Sequence, residues 1–219
     1  MRWFNFAHHK WLDLLFPPRA DEIVLRDVSI DDFLAKVAPR LVPETRPGTV
    51  ALLSFGDPSV RAVLHEAKYH GNEHAFLFLA TALADYLRDA DDLPKTRFNL
   101  VFVPVPLGKE RRKKRGYNQI EEVAKRAVRE LEIKIDTDLL IRTRETTSQV
   151  SLPREKREEN MRGAFTASLK LRSASRAEIS KHTYIVVDDV ITTGATLQAA
   201  IDALKEVGAE HIIPLALAH

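Results

Sequence analysis

A short segment near the C-terminus carries the residues best suited to chemistry. Asp188 and Asp189 follow an apolar run, and a turn of small residues leads from them into a helical pattern. The turn residues are Thr192, Thr193, Gly194, Ala195 and Thr196. Because their side chains are small, their backbone N–H groups can surround one anion at the helix N-terminus, where the macrodipole also favours negative charge. The turn is therefore predicted to bind a phosphate.

The acid pair indicates what such a phosphate would be attached to. Adjacent carboxylates repel each other unless they meet a cation or several donors, such as ribose hydroxyls with Mg²⁺ bridging them. A phosphate, a sugar diol and a metal ion together describe a ribose 5-phosphate. The alternative is a solvated turn, in which Asp188 and Asp189 only end a strand and Thr193 or Thr196 caps a helix.

The elements that must position this segment alternate between strand and helix. Apolar runs typical of strands lie at 50–55, 98–103, 133–141, 184–187 and 211–217, and helical spacing of apolar residues occurs at 57–69, 73–88, 118–131 and 195–207. Continuous apolar runs are typical of strands that are covered on both faces, as in a mostly parallel α/β sheet. Ligands of such sheets bind at the carboxyl ends of the strands, where the acid pair lies.

Prolines indicate where the chain divides. Pro17 and Pro18 interrupt an aromatic start, and Pro39, Pro43 and Pro47 break the chain again before the first apolar run. We predict two parts, an N-terminal arm and hood segment at 1–48 and a main domain at 49–219.

Composition excludes several classes of function. The 219 residues carry a formal net charge of +2 and contain no cysteine. Disulfides, thiolate zinc sites, iron–sulfur clusters and cysteine nucleophiles are thereby excluded. No apolar stretch approaches the about 20 residues of a membrane span, and residues 1–18 lack the features of a signal peptide. We therefore expect a cytoplasmic protein without membrane insertion.

The string from the apolar run through Thr196 closely resembles the phosphoribosyl pyrophosphate (PRPP) motif of the type I phosphoribosyltransferases. Segments 103–119 and 142–165, with a shorter match at 64–71, narrow the resemblance to the ComF family of competence-associated proteins. The resemblance implies a type I phosphoribosyltransferase fold, with a mostly parallel central sheet flanked by helices and a small N-terminal hood region. Many ComF proteins carry Cys pairs near the start that resemble a small zinc module. This chain lacks them, so no zinc is expected.

The resemblance also implies roles for two loops. It makes 104–109 the pyrophosphate loop, in which Gly108 lets the backbone approach a ligand. It places a lid at 142–162, with Arg154, Lys156 and Arg157 as candidates for closing over the ligand. The implied PRPP-binding residues are Asp188, Asp189, Thr192, Thr193, Gly194, Ala195, Thr196, Leu107, Gly108 and Lys109. In both loops the alternative is plain solvated charge.

A basic run follows the pyrophosphate loop. Residues 109–115 hold six basic residues and one acid. Such a cluster attracts a polyphosphate or a nucleic-acid backbone, and the alternative is the solvated start of a helix. The candidate nucleic-acid-binding residues are Arg111, Arg112, Lys113, Lys114 and Arg115. Tyr117 is a candidate for stacking on a base, with a packing role as the alternative.

Histidines offer a weaker signal. His70 and His74 have the spacing of a helical metal site, but Gly71 between them argues against a continuous helix. We predict no metal site there.

Two functions are consistent with these residues. As an enzyme, the protein would bind Mg²⁺ and PRPP at Asp188 and Asp189, the candidate catalytic residues and metal ligands, and transfer the phosphoribosyl group to a nitrogen nucleophile, with Asp189 assisting proton transfer. As a non-catalytic adaptor, it would bind single-stranded DNA or competence and helicase proteins. The sequence leaves open whether the protein is an enzyme, which acceptor it uses, and whether the arm at 3–16 joins a homodimer.

Overall fold

The computed structural model describes residues 19–90, 93, 99–145 and 154–219, without the side chains of residues 130, 154 and 155. Its main sheet is formed by β1 (Arg40–Val42), β2 (Thr49–Leu53), β3 (Leu100–Pro104), β4 (Lys134–Ile135), β7 (Thr183–Val190) and β8 (His211–Ala218). The strand order is β1-β2-β8-β7-β3-β4. Only β1 runs antiparallel to its neighbour. A separate antiparallel pair joins β5 (Leu140–Arg142) to β6 (Phe165–Ala167). The predicted mostly parallel α/β sheet is confirmed.

Helices cover both faces of the main sheet. They are α1 (Ala20–Asp27), α2 (Ile30–Leu34), α3 (Pro58–His65), α4 (Glu73–Asp89), α5 (Lys109–Arg115), α6 (Gln119–Ala127), α7 (Arg154–Met161), α8 (Leu169–Arg172), α9 (Arg176–Ile179) and α10 (Ala195–Glu206). A π-helical turn, Glu66–His70, continues α3, and a 3₁₀ turn, Val128–Glu130, continues α6. Among the described residues, no helix combines the length and the apolar character needed to cross a bilayer.

The alternation of side chains along the strands divides the core in two. Phe102 and Ile185 face one hydrophobic cluster, which contains buried residues of α3, α4 and α6. Val103 and Val186 face the other, which contains buried residues of α7 and α10. Successive residues of a strand point to opposite faces, so the strands that carry the site are packed on both sides.

The observed elements differ from the predictions at three places. Strand β7 continues to Val190 and so contains the acid pair, because its ladder with β8 continues to Ala218. The run at 133–141 gives two short strands in separate sheets instead of one. The stretch 142–162, predicted as a loop, contains α7 in its described part.

The described part of the predicted hood segment joins the main core. Leu25 and Phe33 are buried in the cluster that contains α3 and α4, and β1 extends the sheet beside β2. The aromatic arm at 3–16 lies outside the described residues, and the boundary at residue 48 stays a prediction.

Neighbouring strand ends bring two predicted loops together. Pro104, the last residue of β3, is paired with Val187 of β7, just before the acid pair, and the backbone N–H of Val105 donates to the carbonyl of Val187 at 2.9 Å. Asn118 secures this junction: its Nδ2 donates to the carbonyl of Val105 at 2.9 Å, and its Oδ1 accepts from the N–H of Ile120 at 3.1 Å as the cap of α6. The loop after β3 is therefore held beside the acid pair.

Replacing Asn118 with Ala is expected to lower the free energy of unfolding by about 1–3 kcal/mol, since a helix cap is lost and a buried carbonyl loses its donor. Urea unfolding measures this loss. Ser175→Ala is the matched control, because Ser175 caps α9 at an exposed position. A loss no larger than that of the control would contradict the role given to Asn118.

Candidate ribose-phosphate site

The turn after β7 forms a hollow at the N-terminus of α10, a helix of 12 residues. Gly194 has a left-handed backbone, with φ 72°, and a Cβ there would lie 2.8 Å from the carbonyl oxygen of Glu44. Glycine is therefore required at this position for two reasons: the left-handed backbone angle and the close approach of the segment that contains Glu44. The hollow is lined by Asp188, Val190, Ile191, Thr192, Gly194, Ala195, Thr196 and Leu197. The structure thus brings four of the five predicted turn residues to one hollow.

Thr193 is the turn residue that faces elsewhere. Its side chain lines a separate cavity of about 550 Å³, together with Glu44 and residues of α7 and α10. Thr193 is buried, and its hydroxyl has no hydrogen-bond partner among the described residues. Its side chain is therefore placed behind the hollow and not in it.

The two carboxylates of the acid pair occupy different environments. Asp189 is 9% exposed, and its Oδ2 accepts from Lys68 Nζ at 2.7 Å and from Gln119 Nε2 at 2.8 Å. Its Oδ1 accepts from the N–H of Val190 at 2.8 Å. Asp188 Oδ1 accepts from the N–H of Asp189 at 2.9 Å. Within the described part of the chain no hydrogen bond reaches Asp188 Oδ2, so Asp188 is the carboxylate that a ligand in the hollow would meet.

The same difference governs the ionisation of the pair. Burial, reinforced by the charge of Asp189, raises the pKa of Asp188 to about 7. Burial also acts to raise the pKa of Asp189, but the adjacent Lys68 ammonium outweighs it and holds this pKa below its usual value. Asp189 is therefore the ionised member of the pair near neutral pH, and Asp188 changes its protonation there.

The acid pair does not fit the predicted Mg²⁺ site. Mg²⁺ demands nearly octahedral oxygen ligands at about 2.0–2.1 Å. Both oxygens of Asp189 already accept hydrogen bonds, and a lysine ammonium lies 2.7 Å from one of them. Only Asp188 offers an oxygen without a bond from the described residues. The expectation that both carboxylates ligate one metal ion is therefore not supported by their surroundings.

The predicted pyrophosphate loop holds a carboxylate. Gly108 is buried, Leu107 half-buried and Lys109 exposed. Glu145 lies against Gly108, where it occupies the space of a Cβ, and its Oε1 accepts from the N–H of Glu110 at 3.2 Å. An acidic group thus lies where the sequence predicts an anionic ligand.

One of the predicted lid residues reaches the hollow. Arg157 Nη1 donates to Thr192 Oγ1 at 3.2 Å, which joins α7 to the turn. Lys156 is exposed on the same helix. The side chain of Arg154 lies outside the described residues.

The basic run forms helix α5, which buries none of its residues. Arg112 is paired with Glu121 at 2.6 Å, Arg115 donates to Gln119, and the Arg115 guanidinium lies 5.3 Å from the ring centroid of Tyr69. Arg111 is half-buried, whereas Lys113 and Lys114 are exposed.

The ring of Tyr117 packs against other side chains of the protein and is not available for stacking on a base. Its hydroxyl donates to the carbonyl of Ala67 at 3.0 Å, and its ring meets that of Phe76 edge to face. The structure favours the packing alternative over base stacking.

Two residues of the site were not identified from sequence. Lys68 and Gln119 both lie in segments that support the family resemblance, but no local pattern assigns them a role. They contact Asp189 across separations of 121 and 70 residues. The sheet topology, and not any spacing in the sequence, brings them there.

The histidine segment brings three potential metal ligands together. Donor atoms of His65, Glu66 and His70 lie within 4.8 Å of one another. However, Arg19 donates to both Glu66 oxygens, at 3.0 and 2.7 Å, and Asn72 donates to one of them at 3.1 Å. Because Glu66 is already neutralised, we assign no metal to this group.

Comparison with known proteins supports the class of the fold. Residues 121–219 match the phosphoribosyl transferase domain family. A 49-residue segment is 43% identical to the Bifunctional protein PyrR of Leuconostoc mesenteroides, covering 22% of this chain and 28% of that protein. The chain thus contains a type I phosphoribosyltransferase-like domain.

Two longer matches cover about half of this chain or somewhat more. Competence protein F of Haemophilus influenzae is 32% identical over 61% of this chain and 56% of its own length. The DNA utilization protein YhgH of Escherichia coli K12 is 33% identical over 49% of this chain and 44% of its own length. The chain therefore spans about half the length of these relatives. These similarities support the predicted resemblance to phosphoribosyltransferase-like proteins of the ComF family.

Asp188→Asn is expected to stabilise the fold at about pH 8, with a gain that shrinks as the pH falls toward about 4. The folded pKa of Asp188, about 7, lies above the ordinary 3.8, so the folded state binds this proton more tightly and loses stability as the pH rises between the two values. Urea unfolding as a function of pH measures the difference. Asp27→Asn, an exposed carboxylate at the end of α1, is the control. A difference independent of pH would contradict the assignment.

Proposed function

We propose that this protein binds the magnesium complex of PRPP in the cytoplasm and transfers its phosphoribosyl group to a nitrogen nucleophile, in the context of DNA uptake or use. One observation carries the proposal: the small-residue hollow at the N-terminus of α10 has Asp188 on its wall. An anion-binding turn and a carboxylate for hydroxyl groups are thereby combined at the carboxyl end of a parallel strand, where ligands of such sheets bind.

The chemistry follows from the placement of the groups. The 5-phosphate would accept hydrogen bonds from the backbone of the turn, and Asp188 would accept from a ribose hydroxyl. Pyrophosphate would leave toward the loop at Leu107–Lys109 as the bond from C1 to its oxygen breaks, and the Glu145 carboxylate would have to withdraw from Gly108 to admit it. A nitrogen lone pair then forms the new bond to C1, and the nucleophile gives up a proton. Positioning and fixed dipoles provide most of the rate enhancement in such a site.

Asp188 is better placed than Asp189 to accept that proton. Asp189 is ionised but already accepts three hydrogen bonds, whereas Asp188 faces the hollow and has a pKa of about 7. A general base works best when its pKa lies near the operating pH. We therefore transfer to Asp188 the role in proton transfer that the sequence suggested for Asp189.

The proposed context rests on the relatives and on charge. Their names, Competence protein F and DNA utilization protein, connect those proteins with DNA. Helix α5 begins directly after the predicted pyrophosphate loop and carries a dense positive charge, which suits a polyanion.

Calorimetric titration of PRPP with Mg²⁺ tests the proposal. Asp188→Asn is expected to weaken binding about tenfold, since a hydrogen bond to a charged group contributes about 1.5–3 kcal/mol. Asp27→Asn is the control for removing an exposed carboxylate. If the wild-type protein binds PRPP and Asp188→Asn binds equally well, the site lies elsewhere. If the wild-type protein does not bind PRPP, the proposed function is wrong.

A second candidate function is the non-catalytic adaptor, which the exposed Lys113 and Lys114 favour. Replacing both with Ala is expected to weaken single-stranded DNA binding and to lower the slope of log affinity against log salt by about 1.4, at about 0.7 per lost phosphate contact. Fluorescence anisotropy with a labelled oligothymidine measures both quantities. The control replaces Lys134 and Lys181, which are exposed on other elements, with Ala. Equal slopes in the two double variants would exclude α5 as the DNA contact.

A further inference from the structure

We infer that Lys68 is a built-in cation of the ribose-phosphate site, which takes at Asp189 the place that a divalent metal ion would otherwise occupy. The inference rests on the proposed function, since it concerns how the same site binds its ligand. The Lys68 ammonium would then neutralise the charge of Asp189, a role that the sequence predicts for Mg²⁺.

The contacts of Asp189 support this assignment. Lys68 Nζ lies 2.7 Å from its Oδ2, and only 32% of the lysine side chain is exposed. Gln119 Nε2 donates to the same oxygen, and the N–H of Val190 donates to the other. The negative charge of Asp189 is thus compensated by a fixed cation and two neutral donors, the arrangement that a buried carboxylate requires.

A metal ion on Asp189 would have to displace or tolerate this lysine. A divalent cation coordinated to Asp189 would lie within a few ångströms of the Lys68 ammonium, and two cations repel strongly in a site of low dielectric. Removing the lysine from the pair would leave a largely buried ammonium without its carboxylate, which is costly. Lysine and metal therefore exclude each other at this position.

Lys68 is held in place by its own element. It lies on the π-helical turn Glu66–His70, which begins with Glu66 anchored by Arg19 and ends before Gly71 in the left-handed region. The hydroxyl of Tyr117 donates to the carbonyl of Ala67, next to Lys68 in the chain, and fixes the turn against the segment between α5 and α6. A π-helical turn often marks a functional position, because the extra residue per turn re-aims the side chains that follow. Here the turn aims Lys68 at the acid pair.

The pairing of Lys68 with Asp189 affects which part of the ligand requires a metal ion. The ribose-phosphate half would then need no metal ion, because its phosphate would meet backbone N–H groups and Asp189 is already neutralised by Lys68. Any demand for Mg²⁺ then comes from the pyrophosphate half alone. Ribose 5-phosphate, which lacks pyrophosphate, separates the two contributions.

The experiment is calorimetric titration of ribose 5-phosphate into the full chain, once with EDTA and once with Mg²⁺. The wild-type affinities are expected to agree within about twofold, since no metal enters this half of the site. Lys68→Met is expected to bind about tenfold more weakly in EDTA and to regain affinity with Mg²⁺, because a metal can then reach Asp189. Lys68→Arg, which keeps the cation, is expected to bind without added metal.

Lys181→Met is the matched control, because Lys181 is exposed and precedes the N-terminal end of β7, whereas the acid pair lies near the C-terminal end of that strand. Thermal unfolding establishes that each variant is folded. If Lys68→Met does not fold, the titration of ribose 5-phosphate into Lys68→Arg with and without Mg²⁺ tests the assignment instead. Binding that does not depend on Mg²⁺ supports the assignment, and binding that requires Mg²⁺ overturns it.

Two results separate this inference from the function on which it rests. Wild-type binding of ribose 5-phosphate only with Mg²⁺ would overturn the role of Lys68 and leave the proposed function intact, as would unchanged binding by Lys68→Met in EDTA. Failure of the wild-type protein to bind either ribose 5-phosphate or PRPP in any condition would overturn the proposed function and this inference with it.

Discussion

Two adjacent carboxylates at the end of a buried strand are the constraint on which the rest of the site depends. Asp188 and Asp189 lie on β7, in the middle of the sheet, where like charges repel strongly. The two carboxylates have different surroundings, which reduces this repulsion. Lys68 and Gln119 donate hydrogen bonds to Asp189, and Asp188 faces the hollow. Lys68 comes from the turn after α3 and Gln119 from the first residue of α6, so both elements must pack on the sheet for the pair to exist.

The hollow depends equally on the segment before β2. The backbone of Glu44 lies where a side chain on Gly194 would lie, so the turn after β7 is backed by this segment. The N–H of Arg46 donates to Gln198 Oε1 at 2.7 Å, and Lys205 Nζ donates to the carbonyl of Arg46 at 2.8 Å. Residues 44–46 are thus fixed to α10 at two points. Part of the predicted hood segment therefore contacts the predicted phosphate-binding turn directly.

The sequence predicted those parts of the site whose residues lie next to one another in the chain. The turn at 192–196 could be found because strand, acid pair, small residues and helix follow one another within a short stretch. Small residues directly before a helix expose backbone N–H groups at its N-terminus, which is the arrangement that binds an anion. Lys68 could not be found in this way, since its partner lies 121 residues away and its own segment reads as the end of a helix. The roles of Asp188 and Asp189 were likewise indistinguishable, because only their neighbours in space differ.

The two candidate functions are physically connected through Gln119. Its Oε1 accepts from Arg115 of the basic helix α5, and its Nε2 donates to Asp189 of the acid pair. One side-chain amide thus lies between the surface that would attract a nucleic acid and the carboxylate that helps to set the charge of the proposed ligand site. The basic helix and the acid pair are therefore linked by direct contact through this amide and not only by proximity.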